Sequence, residues 1–153
     1  MQIEISKIKH LLKNHFNPPE YRLSVLADIK TPPWGGANQV LIALINELKK
    51  NNVQVKNNYV GNKIKNYLLS AKAFNTNQLK TQKFTDSGKV VLHRIAGLFT
   101  VARNDPNQKI NDDIVFEINN NYATKTIFQS QWSLDLIKKS NYRPVDPIII
   151  PNA

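Results

Sequence analysis

Residues 21–55 read YRLSVLADIK TPPWGGANQV LIALINELKK NNVQV, and this stretch decides the fold class. The apolar run at residues 21–29 predicts a buried strand, and residues 53–55 predict a short second strand. Between them, apolar residues recur at helical spacing from Ala37 to Leu48 and predict an amphipathic helix. A strand, a helix and a strand in this order predict parallel pairing through a right-handed crossover.

The rest of the chain continues the alternation of strands and helices. Apolar runs predict further strands at residues 67–70, 90–93, 126–128 and 148–150. Helices are predicted at residues 5–16, 76–83 and 110–118 and after an N-cap at Ser130, and a loop is predicted at residues 98–108. We therefore expect an α/β fold, with a Rossmann-like, doubly wound, mostly parallel sheet of about six strands and helices on both faces.

Length, charge and composition limit the classes of function. The chain has 153 residues, a formal net charge of +10 and no cysteine. One domain is expected, with an N-terminal helix and linker at residues 1–19, and a disulfide framework or thiolate zinc site is excluded. A basic surface favours polyanions, but the lysines are scattered, as on an ordinary solvated surface. No apolar run reaches the ~20 residues of a membrane span and no secretory signal is visible, so we expect a cytoplasmic location.

Several cofactor motifs are missing from the sequence. No G-x-G-x-x-G follows the first strand and no glycine-lysine-serine/threonine follows the turn. The usual phosphate-binding loops for a nicotinamide cofactor and for a nucleoside triphosphate are therefore missing. No H-E-x-x-H occurs either. We expect no cofactor and no metal.

Polar residues and glycines gather where the predicted strands end. In a parallel sheet the carboxyl ends of the strands share one edge, and ligands bind there near the point where strand order reverses. The residues at these ends are 31–36, Ser70, 93–97, 129–130 and 151–152. This clustering predicts a binding site at the carboxyl edge of the sheet.

The glycine turn before the first long helix offers one possible contact with a ligand. Gly35 and Gly36 would let a ligand approach backbone N–H groups, although the same pattern also suits a plain turn. Trp34 either stacks on a sugar ring or packs beneath the loop. Asn38 and Gln39 either face a ligand or cap the helix.

The sharpest local signal is the segment of residues 93–97. His93 and Arg94 end a predicted strand, and Gly97 follows shortly afterwards. An imidazole and a guanidinium can donate hydrogen bonds to hydroxyl or phosphate groups. A satisfied, half-buried histidine beside a surface arginine would give the same pattern. Arg103 either adds a phosphate contact or is simply solvated.

Taken in order, these motifs resemble the N-terminal half of group-1 (family four) glycosyltransferases of the two-Rossmann-domain type. That family runs P-W-G-G-x-N-Q after its first strand, H-R-I-D-G at its fourth, then I-F-Q-S-x-W-S, and finally N-A-V-D. This chain has PWGGANQ at residues 33–39, HRIAG at 93–97, IFQSQWS at 127–133 and PNA at 151–153. Ala96 stands in place of the family's aspartate and Leu98 in place of a frequent proline, so any role of that carboxylate is lost or moved.

The resemblance implies the acceptor-side half of a retaining, metal-independent transferase, inactive alone because the family binds the nucleotide-sugar in a second domain that these residues lack. It assigns the cleft floor, and catalysis, to His93 and Arg94. The residues that we expect to bind substrate are Trp34, Gly35, Gly36, Asn38, Gln39, Gly97, Arg103, Gln129, Ser130 and Asn152.

Several partners follow from this interpretation. The acceptor is expected to be a glycan or a lipid-linked molecule, and a nucleotide-sugar is expected only with a second domain. The basic charge also suits peripheral contact with an anionic membrane at its inner face. Two other functions stay open: a basic nucleic-acid-binding module, which the missing aromatic platforms disfavour, and a non-catalytic subunit that completes a partner transferase.

Overall fold

The computed structural model describes residues 22–30, 35–61, 64–81, 84 and 88–151. The strands are β1 (Arg22–Leu26), β2 (Gln54–Asn57), β3 (Asn66–Ser70), β4 (Val90–Arg94), β5 (Lys125–Phe128) and β6 (Pro147–Ile149). The helices are α1 (Gly36–Lys50), α2 (Phe99–Arg103), α3 (Lys109–Tyr122) and α4 (Gln131–Lys139), with 3-10 turns at Thr76–Lys80 and Pro106–Gln108. The helix predicted at residues 5–16 lies outside the described residues.

The six strands form one sheet in the order β2-β1-β3-β4-β5-β6. Every neighbouring pair is parallel. The chain first moves from β1 to β2 on one side and then returns past β1 to β3 on the other side, so strand order reverses between β1 and β3. This arrangement confirms the predicted Rossmann-like, doubly wound α/β fold, and it puts a topological switch point beside the carboxyl ends of β1 and β3.

Helices cover the sheet on both faces because each carries one apolar stripe. Leu41, Leu44 and Leu48 of α1 are buried in a core on one face, together with alternate residues of the strands. On the other face, α3 and α4 bury the apolar side chains of Val115 and Ile137. Each such fully buried side chain contributes about 1.5–3 kcal/mol relative to an exposed one. Within the part of the chain that the structure describes, no helix has the length and apolar character needed to cross a membrane.

The predictions for two connecting segments need correction. Residues 98–108 were expected to form a loop, but they contain helix α2 and the 3-10 turn Pro106–Gln108. The helix predicted at residues 76–83 is a 3-10 turn at Thr76–Lys80, where the side chain of Asn75 accepts a hydrogen bond from the Asn77 N–H. A turn this short carries no helical periodicity, and residues 82–83 lie outside the described part of the chain.

Candidate functional site

A pocket of about 580 Å³ opens at the carboxyl edge of the sheet, next to the switch point. Its walls come from the first turn of α1, from the segments that follow β3, β4 and β5, and from α2 and α4. Its polar lining residues are Ser70, Arg94 and Gln129, and all its other lining residues are apolar or glycine. The fold thus joins residues that are far apart in sequence, at the edge where the strand ends predicted a site.

Arg94, the last residue of β4, supplies the only charged side chain among the described residues that line this pocket. It is only 8% exposed, and its Nη2 donates a hydrogen bond to Oε1 of Gln129 over 3.3 Å. Nε2 of Gln129 in turn donates to the carbonyl of Ala96. Among the described residues no carboxylate pairs with Arg94, and burial alone lowers the pKa of its guanidinium. An arginine keeps its proton at neutral pH, so the pocket floor carries a positive charge that no described carboxylate neutralises.

His93 points to the opposite face of the sheet and does not line the pocket. Its ring is fully buried, with Nε2 2.9 Å from the carbonyl of Ala71 and Nδ1 3.1 Å from Nδ2 of Asn119. The Ala71 carbonyl can only accept, so Nε2 carries the proton and Nδ1 accepts from the Asn119 amide. Burial lowers the pKa of His93 to about 4, so the ring is neutral at physiological pH.

The contact with Ala71 connects His93 to the pocket indirectly. Ala71 lines the pocket and has a φ of 45°, in the left-handed region that residues other than glycine rarely adopt. Its N–H donates to the carbonyl of Arg94, and its own carbonyl accepts from His93. His93 therefore positions the turn after β3 instead of contacting a bound molecule.

The carboxamide of Asn119 on α3 joins His93 to three other segments. Nδ2 donates to His93 and to Oγ1 of Thr126, at 3.1 and 2.8 Å. Oδ1 accepts from the hydroxyl of Tyr142 and from the N–H of Val145, at 2.9 and 3.0 Å. All four hydrogen-bonding positions of this fully buried amide are filled, which fixes α3 against β4, β5 and the segment before β6.

Around Gly35 and Gly36, at the start of α1, the described part of the chain leaves open space. Gly35 has a φ of 24°, where any side chain would be strained, and a Cβ on Gly36 would meet no atom within 4 Å. The helix begins without a side-chain cap and without an acidic residue in its first turn, and Ala37 lines the pocket. Backbone N–H groups at such a helix start favour an anion nearby.

The two polar residues of that first turn do not line the pocket. The Asn38 carboxamide bonds both backbone groups of Lys30: its Oδ1 accepts from the N–H at 2.9 Å, and its Nδ2 donates to the carbonyl. Asn38 thereby ties the start of α1 to the end of the loop after β1. Gln39 is exposed.

The remaining predicted site residues lie in different surroundings. Gly97 lines the pocket with Arg94 and Gln129. The Ser130 hydroxyl caps α4 by accepting from the N–H of Ser133, as predicted, in a reciprocal capping box. Arg103 is exposed at the end of α2 and does not line the pocket. Trp34 and Asn152 lie outside the described residues.

One pocket wall was missed because its helix was missed. Phe99, Val101 and Ala102 of α2 line the pocket together with Trp132 and Leu136 of α4. Val101 and Trp132 are 46% and 65% exposed, which is unusual for large apolar side chains. The IFQSQWS motif contains Trp132, but only the fold brings α2 opposite to it.

A carboxylate from α3 holds α2 in place. Leu98 occupies the N-cap position and offers no side-chain acceptor. Instead, Oδ1 of Asp112 accepts from the N–H of Phe99 at 2.6 Å, and Oδ2 accepts from the N–H and hydroxyl of Thr100 at 3.2 and 2.8 Å. The cap comes from a residue distant in sequence, which explains why no local signal predicted this helix.

Replacing Asp112 with alanine is expected to lower the free energy of unfolding by about 2 kcal/mol, because three hydrogen bonds to a buried charge are lost. Urea denaturation measures this loss, and faster amide exchange at residues 99–103 would show that α2 has detached. Asp113→Ala is the matched control, since Asp113 forms an exposed ion pair with Lys109 that contributes less than about 0.5 kcal/mol. Equal losses for the two variants would contradict the capping role.

Comparison of the chain with models of protein families, with curated proteins and with solved structures gives no match. The structure defines a class by architecture, a doubly wound parallel α/β domain with a pocket at its carboxyl edge. This architecture supports many chemistries, so the residues of the pocket, and not the fold, indicate the function.

Proposed function

We propose that the chain is the acceptor-binding half of a retaining glycosyltransferase, which transfers a sugar from a nucleotide-sugar to a glycan or lipid-linked acceptor. The observation that carries the proposal is the pocket itself. Its lining includes residues of three motifs of the glycosyltransferase resemblance, namely Ala37 from the first, Arg94, Ala96 and Gly97 from the second, and Gln129 from the third. It also lies at the carboxyl edge beside the switch point, where sheets of this kind bind ligands.

In this proposal, binding of the acceptor depends on the charged floor and the open turn. Arg94 and Gln129 hold the acceptor by hydrogen bonds, and His93 acts as a positioning residue through the turn at Ala71. The reaction breaks the bond between the sugar's anomeric carbon and the nucleotide diphosphate and forms a bond to an acceptor hydroxyl oxygen, whose proton leaves with the diphosphate. Holding that hydroxyl in line is the contribution of this half.

The donor is expected to bind elsewhere. Among the described residues the pocket offers one guanidinium, one carboxamide and the hydroxyl of Ser70, which are fewer polar groups than the diphosphate, ribose and base of a nucleotide-sugar need. The proposal therefore requires a donor-binding domain, on the same polypeptide or on a partner. Peripheral contact with an anionic membrane would bring a lipid-linked acceptor to the pocket.

Ligand titrations followed by NMR test whether this pocket binds the acceptor in preference to the nucleotide-sugar donor. We expect acceptor analogues such as alkyl glycosides or alkyl phosphates to shift amide signals around the pocket, and nucleotide-sugars to bind at least tenfold more weakly. Arg94→Met should weaken the binding of acceptor analogues roughly tenfold or more, because it removes a charge-assisted hydrogen bond.

Arg143→Met serves as the control for charge. Arg143 is an exposed arginine in the segment before β6, at the opposite edge of the sheet. Its replacement removes the same charge and should leave acceptor affinity within about twofold. Tight binding of a nucleotide-sugar in this pocket, unaffected by Arg94→Met, would refute the assignment of the chain to the acceptor side.

A further inference from the structure

We propose that the molecule bound in this pocket is an amphiphile, an apolar chain that carries a phosphate group, to which the hydroxyl-bearing part of the acceptor is attached. The phosphate would lie on Arg94 at the pocket floor, and the chain would run outward between α2 and α4. The inference rests on the proposed function, since it names the chemical class of the acceptor. It is carried by a buried positive charge and an exposed apolar wall that share one pocket.

The positive charge at the floor has no counter-ion in the part of the chain that the structure describes. Arg94 is more than nine-tenths buried, and its bond to Gln129 leaves most of the five N–H donors of a guanidinium for another partner. An unpaired buried charge is costly, whereas a bidentate phosphate satisfies a guanidinium in both charge and geometry. The uncapped start of α1 at Ala37, on the same pocket, adds to the positive potential.

The pocket walls beside this charge are apolar. Val101 and Ala102 on α2, Trp132 and Leu136 on α4, and Leu98 all line the same pocket as Arg94. A sugar ring or a nucleobase against these walls would leave hydroxyl or amide groups without partners, at a cost of several kcal/mol each in apolar surroundings. A hydrocarbon chain has no such groups and gains by leaving water.

The dimensions and the charge of the whole protein agree with this occupant. A volume of about 580 Å³ lies in the ~300–1,000 Å³ range of small-molecule sites. The wall ends in two exposed apolar side chains, Val101 and Trp132, so the far end of a long chain can leave the pocket over an apolar rim. The net charge of +10 draws phosphate-bearing molecules from solution.

Isothermal titration with three related ligands tests the inference without any variant. Decyl phosphate, used below its micellar concentration, carries the chain and the charge, decanol carries only the chain, and inorganic phosphate carries only the charge. We expect decyl phosphate to bind at least tenfold more tightly than either of the others. Equal affinity for decanol would remove the role of the charge, and equal affinity for inorganic phosphate would remove the role of the wall. Either result overturns the proposal.

Three variants then locate the binding. Arg94→Met should weaken decyl phosphate about 10–100-fold and leave decanol unchanged. Trp132→Ala, at an exposed position, should weaken decyl phosphate and decanol alike by several-fold and leave inorganic phosphate unchanged. Arg143→Met should change none of the three. An equal effect of Arg143→Met and Arg94→Met would mean that net charge, not the pocket, holds the ligand, and would refute the proposal.

The two proposals can fail separately in these experiments, because decyl phosphate, decanol and inorganic phosphate contain no sugar. Preferred binding of decyl phosphate, together with tight binding of a nucleotide-sugar in the same pocket, would refute the acceptor-side assignment and keep the amphiphile site. Binding of alkyl glycosides but not of decyl phosphate would keep the acceptor role and refute the proposal that the bound molecule carries a phosphate.

Discussion

Replacing Asn119 with alanine is expected to lower the free energy of unfolding by roughly 4 kcal/mol. The change leaves the N–H of Val145 and Nδ1 of His93 without partners inside the core, and each orphaned group costs about 1–3 kcal/mol. Three oxygens lie within hydrogen-bond distance of the single Tyr142 hydroxyl proton, and this change removes one of them. Chemical denaturation at neutral pH measures the loss directly.

The adjacent Asn120 provides a matched control for this prediction. Its Oδ1 lies 2.9 Å from the same Tyr142 hydroxyl and competes with Asn119 for the proton, but Asn120 is exposed and water can replace this contact. Asn120→Ala should therefore cost less than about 1 kcal/mol. A loss of that size for Asn119→Ala as well would show that water enters the cavity and satisfies the orphaned groups.

The architecture follows from local sequence because each strand and each long helix carries its own signal. Residues 41, 44 and 48 repeat at helical spacing, and the helix they predict is α1. Buried parallel strands appear in the sequence as short apolar runs, such as β4, and those runs predicted the strand ends to within about two residues except at β1, which ends three residues before the predicted end. The site edge follows from topology alone, since parallel strands deliver their carboxyl ends to one side.

The composition of the site depends on contacts that no local pattern contains. Helix α2 forms because Asp112, in the next helix, caps it. The sequence therefore predicted neither α2 nor the apolar pocket wall that α2 provides. The side chains of His93 and Arg94 point to opposite faces of the sheet, because neighbouring residues of a strand alternate between the two faces. Arg94 lines the pocket, and His93 enters the network of Asn119. Reading both as pocket residues overlooked this alternation.

The stability of the protein is expected to fall as the pH decreases from about 6.5 towards 4, because of His93. The pKa of its buried ring is about 4 in the folded protein, against an ordinary value of 6.5. Between these values the unfolded chain binds a proton at His93 and the folded chain does not, so acid favours unfolding. A difference of about 2.5 pKa units corresponds to roughly 3 kcal/mol. This contribution is present above pH 6.5 and is lost progressively down to pH 4.

The structural reason for this cost is the direction of the hydrogen bonds. A protonated ring has donors on both nitrogens, and its Nδ1 would then face the donating Nδ2 of Asn119. The bond from Nε2 to the carbonyl of Ala71 exists in both protonation states and favours the protonated ring, so the cost of protonation comes from burial and from the contact with Asn119.

A His93→Gln variant isolates this contribution from that of other titrating groups. Glutamine cannot be protonated in this range, and it retains an amide that can donate to the carbonyl of Ala71. The free energy of unfolding is measured by urea denaturation at several values between pH 7 and pH 4 for both proteins. Carboxylates contribute equally to both, so the difference between the two curves should shrink by roughly 3 kcal/mol as the pH falls. Parallel curves would mean that His93 titrates alike in the folded and unfolded states, and that its ring is hydrated rather than enclosed by Ala71 and Asn119.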